Sequence, residues 1–187
     1  MALNLFQKVR LLEEKDIEST ARFYADNGKY VEYFQKMFST QDCTEAIYTN
    51  FKPDVAASIR TGLCLGIFDH DIMIGCILAV DWNLYKQEHP TLFDHMFLPE
   101  LQTTKDIDST VARLSGPTYF VYAVLVNEKR RCQGIGTVLV KKFTKTVGDK
   151  ANIVSDCVYE NASPIWLKNG FAVRDISADL NLAVKEI

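Results

Sequence analysis

Apolar residues recur along this chain first with a period of two and then with a helical period, and the switches between the two mark its elements. Leu5 to Leu12 reads as a first strand. Glu13-Glu14-Lys15-Asp16 then opens a helix, because acidic side chains favour a first helical turn. Helical spacing of Phe23, Tyr24, Tyr30, Val31, Phe34, Met37 and Phe38, interrupted near Asn27-Gly28, predicts two helices over residues 17–49. Phe51-Lys52-Pro53 predicts a break, with a helical turn over Val55 to Arg60. Gly62 to Phe68 and Ile72 to Trp82 are nearly continuous apolar stretches, expected as central antiparallel strands. Asp69-His70-Asp71 joins them as a hairpin turn whose charges are expected only to solvate it, and Gly66 and Gly75 are candidate bulges.

Thr118 to Gly148 carries the strongest signal. Tyr119 to Val126 is apolar at every position, as a strand covered on both faces requires. Strict alternation puts Phe120, Tyr122, Val124 and Val126 on one face and Tyr119, Val121, Ala123 and Leu125 on the other. Asn127 to Arg131 ends the strand. Ile135, Val138, Leu139, Phe143 and Val147 follow at helical spacing, and Gly148 is placed to cap the helix. Between strand and helix, Gly134 and Gly136 allow backbone N–H groups to approach a ligand closely. A helix N-terminus flanked by Arg130 and Arg131 is an anion site, which points to a phosphate-bearing cofactor. The third glycine of a dinucleotide fingerprint is missing, and there is no Gly-Lys-Ser/Thr of a P-loop.

The chain of 187 residues, 48% hydrophobic, is long enough for one domain with a full core. Its net charge of −3 argues against a general nucleic-acid binder, which needs a basic surface. Lys129, Arg130, Arg131, Lys141, Lys142, Lys145 and Lys150 nevertheless gather around the glycine turn, a distribution suited to a small polyanion. Five cysteines at irregular spacing, without a CxxC, read as reduced thiols of a cytoplasmic protein. No apolar run approaches membrane-spanning length, and no paired His/Asp cluster or HExxH suggests a metal.

Past the glycine turn, Asn152 to Tyr159 is another strand. Ser163 and Pro164 suit the start of a short helix ended by Gly170, and residues 171–176 and 180–187 form a closing antiparallel pair. Arg131-Cys132-Gln133-Gly134-Ile135-Gly136 reads [Gln/Arg]-x-x-Gly-x-[Gly/Ala] after the strand Val124-Leu125-Val126 and before an amphipathic helix. Together with the Lys-x-Gly-Phe segment and final hairpin, this resembles the GNAT N-acetyltransferase superfamily over nearly the whole chain. The match is weakest over residues 17–60 and 83–117.

The resemblance implies a layered α/β (α+β) fold. A mixed, mainly antiparallel sheet would carry helices on both faces, in a single domain spanning 1–187. Residues 83–117 would be an insertion between the third and fourth core strands, containing a helix over Thr103 to Arg113, and a candidate for acceptor specificity or a dimer contact. It also implies acetyl transfer from acetyl-CoA to a primary amine of a small molecule or peptide, in a ternary complex, without a metal. Val124, Leu125 and Val126 would pair with the pantetheine arm. Arg131, Cys132, Gln133, Gly134, Ile135, Gly136 and Thr137 would hold the pyrophosphate, and Asn161 would give a further cofactor contact. Neither a nucleic acid nor a membrane is an expected partner, and the protein is expected as a monomer or homodimer.

The chemical half of the reaction is less legible. The residue at the position of the family's usual Glu base is Phe120, and the usual Tyr acid is replaced by Trp166, whose indole N–H is not a usable acid. Tyr122 is the first candidate for proton traffic, on the expectation that it shares a face with Val124. These replacements also motivate an alternative, a catalytically degenerate CoA-binding regulatory domain.

Overall fold

A computed structural model describes residues 7–29, 38, 43–88, 101–156, 163–177 and 180–187. Seven strands form one sheet: β1 (Gln7–Leu11), β2 (Leu65–Asp69), β3 (Ile72–Asp81), β4 (Thr118–Val126), β5 (Asn152–Asp156), β6 (Ala172–Ser177) and β7 (Leu180–Lys185). Their order is β1-β2-β3-β4-β5-β7-β6, antiparallel throughout except for the parallel pair β4–β5. The α-helices among the described residues are α1 (Ile17–Gly28), α2 (Thr44–Thr61), α3 (Trp82–Glu88), α4 (Leu101–Val111), α5 (Ile135–Val147) and α6 (Ser163–Leu167).

The sheet separates two apolar cores. On one side α1 and α2 cover β3 and β4, burying Tyr24, Ile47, Phe51 and Val55 against Cys76, Leu78, Val80 and Phe120. On the other, α5 presents Ile135, Leu139, Val140, Phe143 and Val147 to Ile67, Ile77, Ala79 and Val121. The expected mixed sheet with helices on both faces is therefore what forms.

Helix α2 corrects the break expected at Phe51-Lys52-Pro53: the helix runs through it with Pro53 inside. An interior proline removes one helical hydrogen bond and costs on the order of 3 kcal/mol. Here Pro53 is exposed, and so is Thr49, whose carbonyl loses that partner and can be hydrated. The opposite face buries Ile47, Phe51 and Val55 almost completely, one helical turn apart. That burial, at ~1.5–3 kcal/mol per large side chain, outweighs the lost bond.

The described parts of the connection between β3 and β4 pack into the α1/α2 core. Trp82 and Tyr85 of α3 and Ile107 of α4 are buried, and Trp82 donates its indole N–H to Asp108 at 2.7 Å. The expected Thr103–Arg113 helix is present as Leu101–Val111.

The largest departure from the expected pattern lies inside β4. Leu78 pairs with Ala123 but Ala79 pairs with Val121, so Tyr122 is an extra residue in the ladder. One inserted residue reverses the parity of everything after it. Phe120 and Tyr122 face the α1/α2 core, as do Ala123 and Leu125, while Val124 and Val126 face α5. The expected shared face of Tyr122 and Val124 is thus corrected. A second bulge separates Ile67 and Phe68 of β2 from Gly75 and Met73 of β3, next to Gly75 as anticipated, whereas Gly66 lies within regular pairing.

Phe120, at the position usual for the base, is fully buried with its ring edge-on to Trp82 at 5.1 Å between centroids. Phe120→Ala should therefore destabilise the fold by ~3–5 kcal/mol, read from the denaturant midpoint. Phe120→Leu should cost clearly less.

Candidate active site

Beyond the bulge, β4 outruns its parallel neighbour. Pairing with β5 covers only Thr118–Asn152 to Val121–Ser155, closed by the Ser155 hydroxyl donating to the Val121 carbonyl at 2.8 Å. From Ala123 to Val126, β4 continues without a ladder to β5 among the described residues. This edge of β4 is therefore one wall of a candidate cleft, backbone able to pair with an extended ligand. Val124, Leu125 and Val126 are half-buried along it.

The cleft leads to the glycine turn. Asn127 accepts the Lys129 N–H through its side chain at 3.1 Å, and a single helical turn, Glu128–Arg130, carries the chain to Arg131. Cys132 (φ 61°) and Gly134 (φ 79°) are both left-handed and curl the backbone into the start of α5. The first bond of that helix runs from Val138 N–H to the Gly134 carbonyl at 3.0 Å. The N–H groups of Ile135, Gly136 and Thr137 precede it and have no partner within the helix, which leaves them for an anion. At Gly136 a Cβ would lie 2.9 Å from Ile165, with Val126 and Val124 at 3.8 and 3.9 Å. Helix α5 thus approaches both α6 and the β4 wall here because no side chain intervenes. Ile135 is buried beneath the turn, whereas Cys132 and Gln133 are exposed.

Two tethers that the sequence pattern did not show hold this turn in place. The Arg130 guanidinium pairs with Asp69 at 2.9 Å, so the β2–β3 hairpin anchors the turn instead of merely solvating itself. Asn27, buried at the end of α1, accepts the Glu128 N–H at 3.2 Å and donates to the Phe23 carbonyl at 2.8 Å. Arg131 reaches the Asn27 carbonyl at 3.3 Å and lies 3.5 Å from that of Val126. Positive charge at the turn is fixed by these contacts before any ligand arrives.

On the α1/α2 side of the cleft sits a buried polar chain. The Tyr122 hydroxyl shares a hydrogen bond with the Ser58 hydroxyl at 2.7 Å, Ser58 donates to the Asp54 backbone carbonyl at 2.5 Å, and Tyr85 donates to the Asp54 carboxylate at 3.4 Å. Burial pushes the Tyr122 phenol well above its ordinary value, so it stays protonated at neutral pH. The Tyr24 ring stands 6.5 Å from it.

Opposite Tyr122, at the end of β5, is Asp156, paired across the other side with Leu182. It is half-buried, and desolvation raises its carboxyl to about 7. In the sequence Asp156 falls inside the expected strand Asn152–Tyr159, as an acidic residue in an otherwise largely apolar run, and it is not among the candidate residues. Trp166, by contrast, is packed edge-on to Phe171 at 4.8 Å inside the α5 core, which makes it a structural residue. Asn161 lies outside the described residues.

No family model and no curated protein matches the sequence. Solved structures do match the fold. A polyamine N-acetyltransferase of Drosophila melanogaster, described as forming N-acetylagmatine, superposes with a TM-score of 0.67 at 13% identity, over 97% of this chain and all of the other. The PaiA N-acetyltransferase of Thermoplasma acidophilum, solved with coenzyme A, gives 0.59 at 14% identity over 97% and 99% of the two chains. A GNAT-family acetyltransferase of Listeria monocytogenes gives 0.62 at 13% over 97% and 95%. The chain therefore has the GNAT acetyltransferase fold. Among the described residues no cluster of His, Cys, Asp or Glu could hold a metal, and no helix is long and apolar enough to cross a membrane.

The tether at Asn27 generates a prediction. Asn27→Ala strands the Glu128 N–H and should destabilise the protein by ~1–3 kcal/mol. Hydrogen exchange at Glu128 should accelerate with it. Unchanged protection there would mean that Asn27 does not hold the turn.

Proposed function

We propose that this protein is an acetyl-CoA-dependent N-acetyltransferase of the GNAT superfamily, acting on a primary amine. The observation that carries this reading is the continuity between an open parallel-strand edge, residues 123–126, and a helix N-terminus with unused N–H groups. Pantetheine is an amide-bearing chain ending in a pyrophosphate, and it needs those two surfaces in that order. Val124, Leu125 and Val126 pair with its amides. Arg131 to Thr137 receive the pyrophosphate, with Gly134 and Gly136 admitting it to the backbone.

The thioester carbonyl then lies at the mouth of the cleft, where a backbone N–H of β4 polarises it as negative charge develops on oxygen. The acceptor nitrogen enters from the α1/α2 side. Tyr122 keeps its proton there and serves as a hydrogen-bonding wall, because a phenol held well above 10 does not act as a base. Attack forms the amide C–N bond, breaks the C–S bond, and leaves the thiolate of CoA. A thiol pKa near 8.5 makes that thiolate a fair leaving group without a dedicated acid. The solved neighbour that forms N-acetylagmatine favours a small-molecule amine acceptor over a peptide.

Two measurements test the reading. CoA at about a hundred times its Kd should stabilise the protein by ~2.7 kcal/mol. Thiol release should follow when acetyl-CoA is supplied with a suitable amine from a panel. Binding without thiol release would favour the regulatory alternative. Gly134→Val forces a β-branched residue into a left-handed conformation at the turn. The variant should keep its far-ultraviolet circular dichroism and lose the CoA-induced shift, and a retained shift would remove this turn as the phosphate site.

A further inference from the structure

An amine must shed a proton to attack a thioester, and the position where a glutamate would serve is occupied by buried Phe120. The structure offers a carboxylate elsewhere. Val121 and Ser155 are the last residues of the described β4–β5 ladder, and the next residue on each strand is Tyr122 and Asp156. The register therefore sets these two side by side at the end of that ladder. Strand alternation puts Asp156 on the face of Val154, and its cross-strand partner is Leu182. Val154, Leu182 and Tyr122 all belong to the α1/α2 core, so Asp156 faces the acceptor side of the cleft.

Among the described aspartates of the strands, Asp81 and Asp175 stand at the ends of β3 and β6 away from the β4–β5 junction, and Asp156 is the one beside Tyr122. Asp69 pairs with Arg130, Asp16 with Arg10 and Asp108 with Lys86. Asp156 has no ion pair among the described residues, and its stabilising hydrogen bond comes from its own backbone N–H. A half-buried carboxylate without a cation gains nothing for the fold by being charged. At the mouth of a cleft, it is poised to accept a proton.

We propose that Asp156 is the general base that takes the proton from the acceptor ammonium as its nitrogen attacks the thioester carbonyl. The inference rests on the acetyl-transfer reading above. The ammonium N–H proton passes to the carboxylate, and the nitrogen lone pair so released forms the C–N bond. As the tetrahedral species collapses, the C–S electron pair leaves with sulfur. The second proton lost from nitrogen ends on the thiolate, and the proton on Asp156 returns to solvent. The balance is ammonium plus acetyl-CoA giving amide, CoA thiol and one proton.

Among the described residues, the titratable and charged groups around Asp156 come from several elements. From β4 comes Tyr122, and from α1 Tyr24. Behind Tyr122 lie Cys64, pushed up to about 12 by burial, and Asp54, held by Tyr85. From β7 there is Leu182, and beyond it on β6 Arg174, whose guanidinium is engaged by Glu186. Lys185 lies at the other end of β7, opposite Ile153 and beside the Phe171 ring.

The test is Asp156→Asn on the full chain, with an amine that the wild type acetylates. In the wild type kcat/KM should rise with pH through about 7. The variant should lose ~10²–10⁴-fold and that limb of the profile, while the thermal shift with CoA stays as in the wild type. The loss should shrink for an acceptor whose amine is already neutral at the assay pH, an outcome a merely structural role would not produce.

Stability gives a readout independent of turnover. The carboxyl is raised from 3.8 to about 7 on folding, so between those values the native state holds more protons than the unfolded state. Stability is thereby lost as pH rises through that window, and Asn removes the loss. The Tm of the variant relative to wild type should therefore climb between pH 4 and pH 7. Turnover by Asp156→Asn within twofold of wild type, with the acidic limb intact, overturns the assignment and leaves acetyl transfer standing. A wild type that acetylates no amine of the panel overturns both.

Discussion

Strand β4 has one residue more than β3 allows between Val121 and Ala123, and the site is arranged around that surplus. Had the ladder been regular, Val124 and Val126 would stand under α1 and α2, and Ala123 and Leu125 under α5. The extra Tyr122 exchanges them. Val124 and Val126 then lie within van der Waals reach of a Cβ at Gly136, so the strand and the helix proposed to hold the cofactor share one face. Tyr122 itself remains with the opposite core. A bulge also increases local twist, and it occurs where β4 and β5 stop pairing. One inserted residue thus sorts side chains to their faces and sits at the opening of the cleft.

The turn that follows is held from three directions. Asp69 reaches it from the β2–β3 hairpin, Asn27 from the end of α1, and Ile135 anchors it from below in the α5 core. Holding the N–H groups of a phosphate site in place before binding removes part of the ordering cost of binding. It also joins the two cores mechanically, since Asn27 lies at the end of α1 while bonding to the backbone of the turn that leads into α5.

What could be read from the residues follows from how local each feature is. The strand, turn and helix from Thr118 to Gly148 are contiguous, and their polarity pattern, glycines and cap were all visible as such. Helix α2 was misread because Pro53 was weighed as a local signal, whereas its tolerance depends on Ile47, Phe51 and Val55 meeting a sheet built from residues far along the chain. The two faces of β4 were read correctly as far as Tyr122 and inverted after it. A bulge is a property of the pairing between strands, and nothing in a single strand's sequence announces it.

The same distinction separates the two halves of the proposed reaction. The cofactor surface is made from one run of chain, so a motif can describe it. The proposed acceptor surface draws on Tyr24, Asp54, Ser58, Tyr85, Tyr122 and Asp156, which no spacing rule connects and which only the fold brings together. A base in such a surface need not sit where a linear alignment places it. It needs a carboxylate with little water, no cation and access to the strand opening, and those are properties of position in the fold. Phe120 at the usual position then ceases to argue against catalysis. Its ring completes the packing with Trp82 beneath the sheet, and the proton-accepting role can move across the cleft to the next strand.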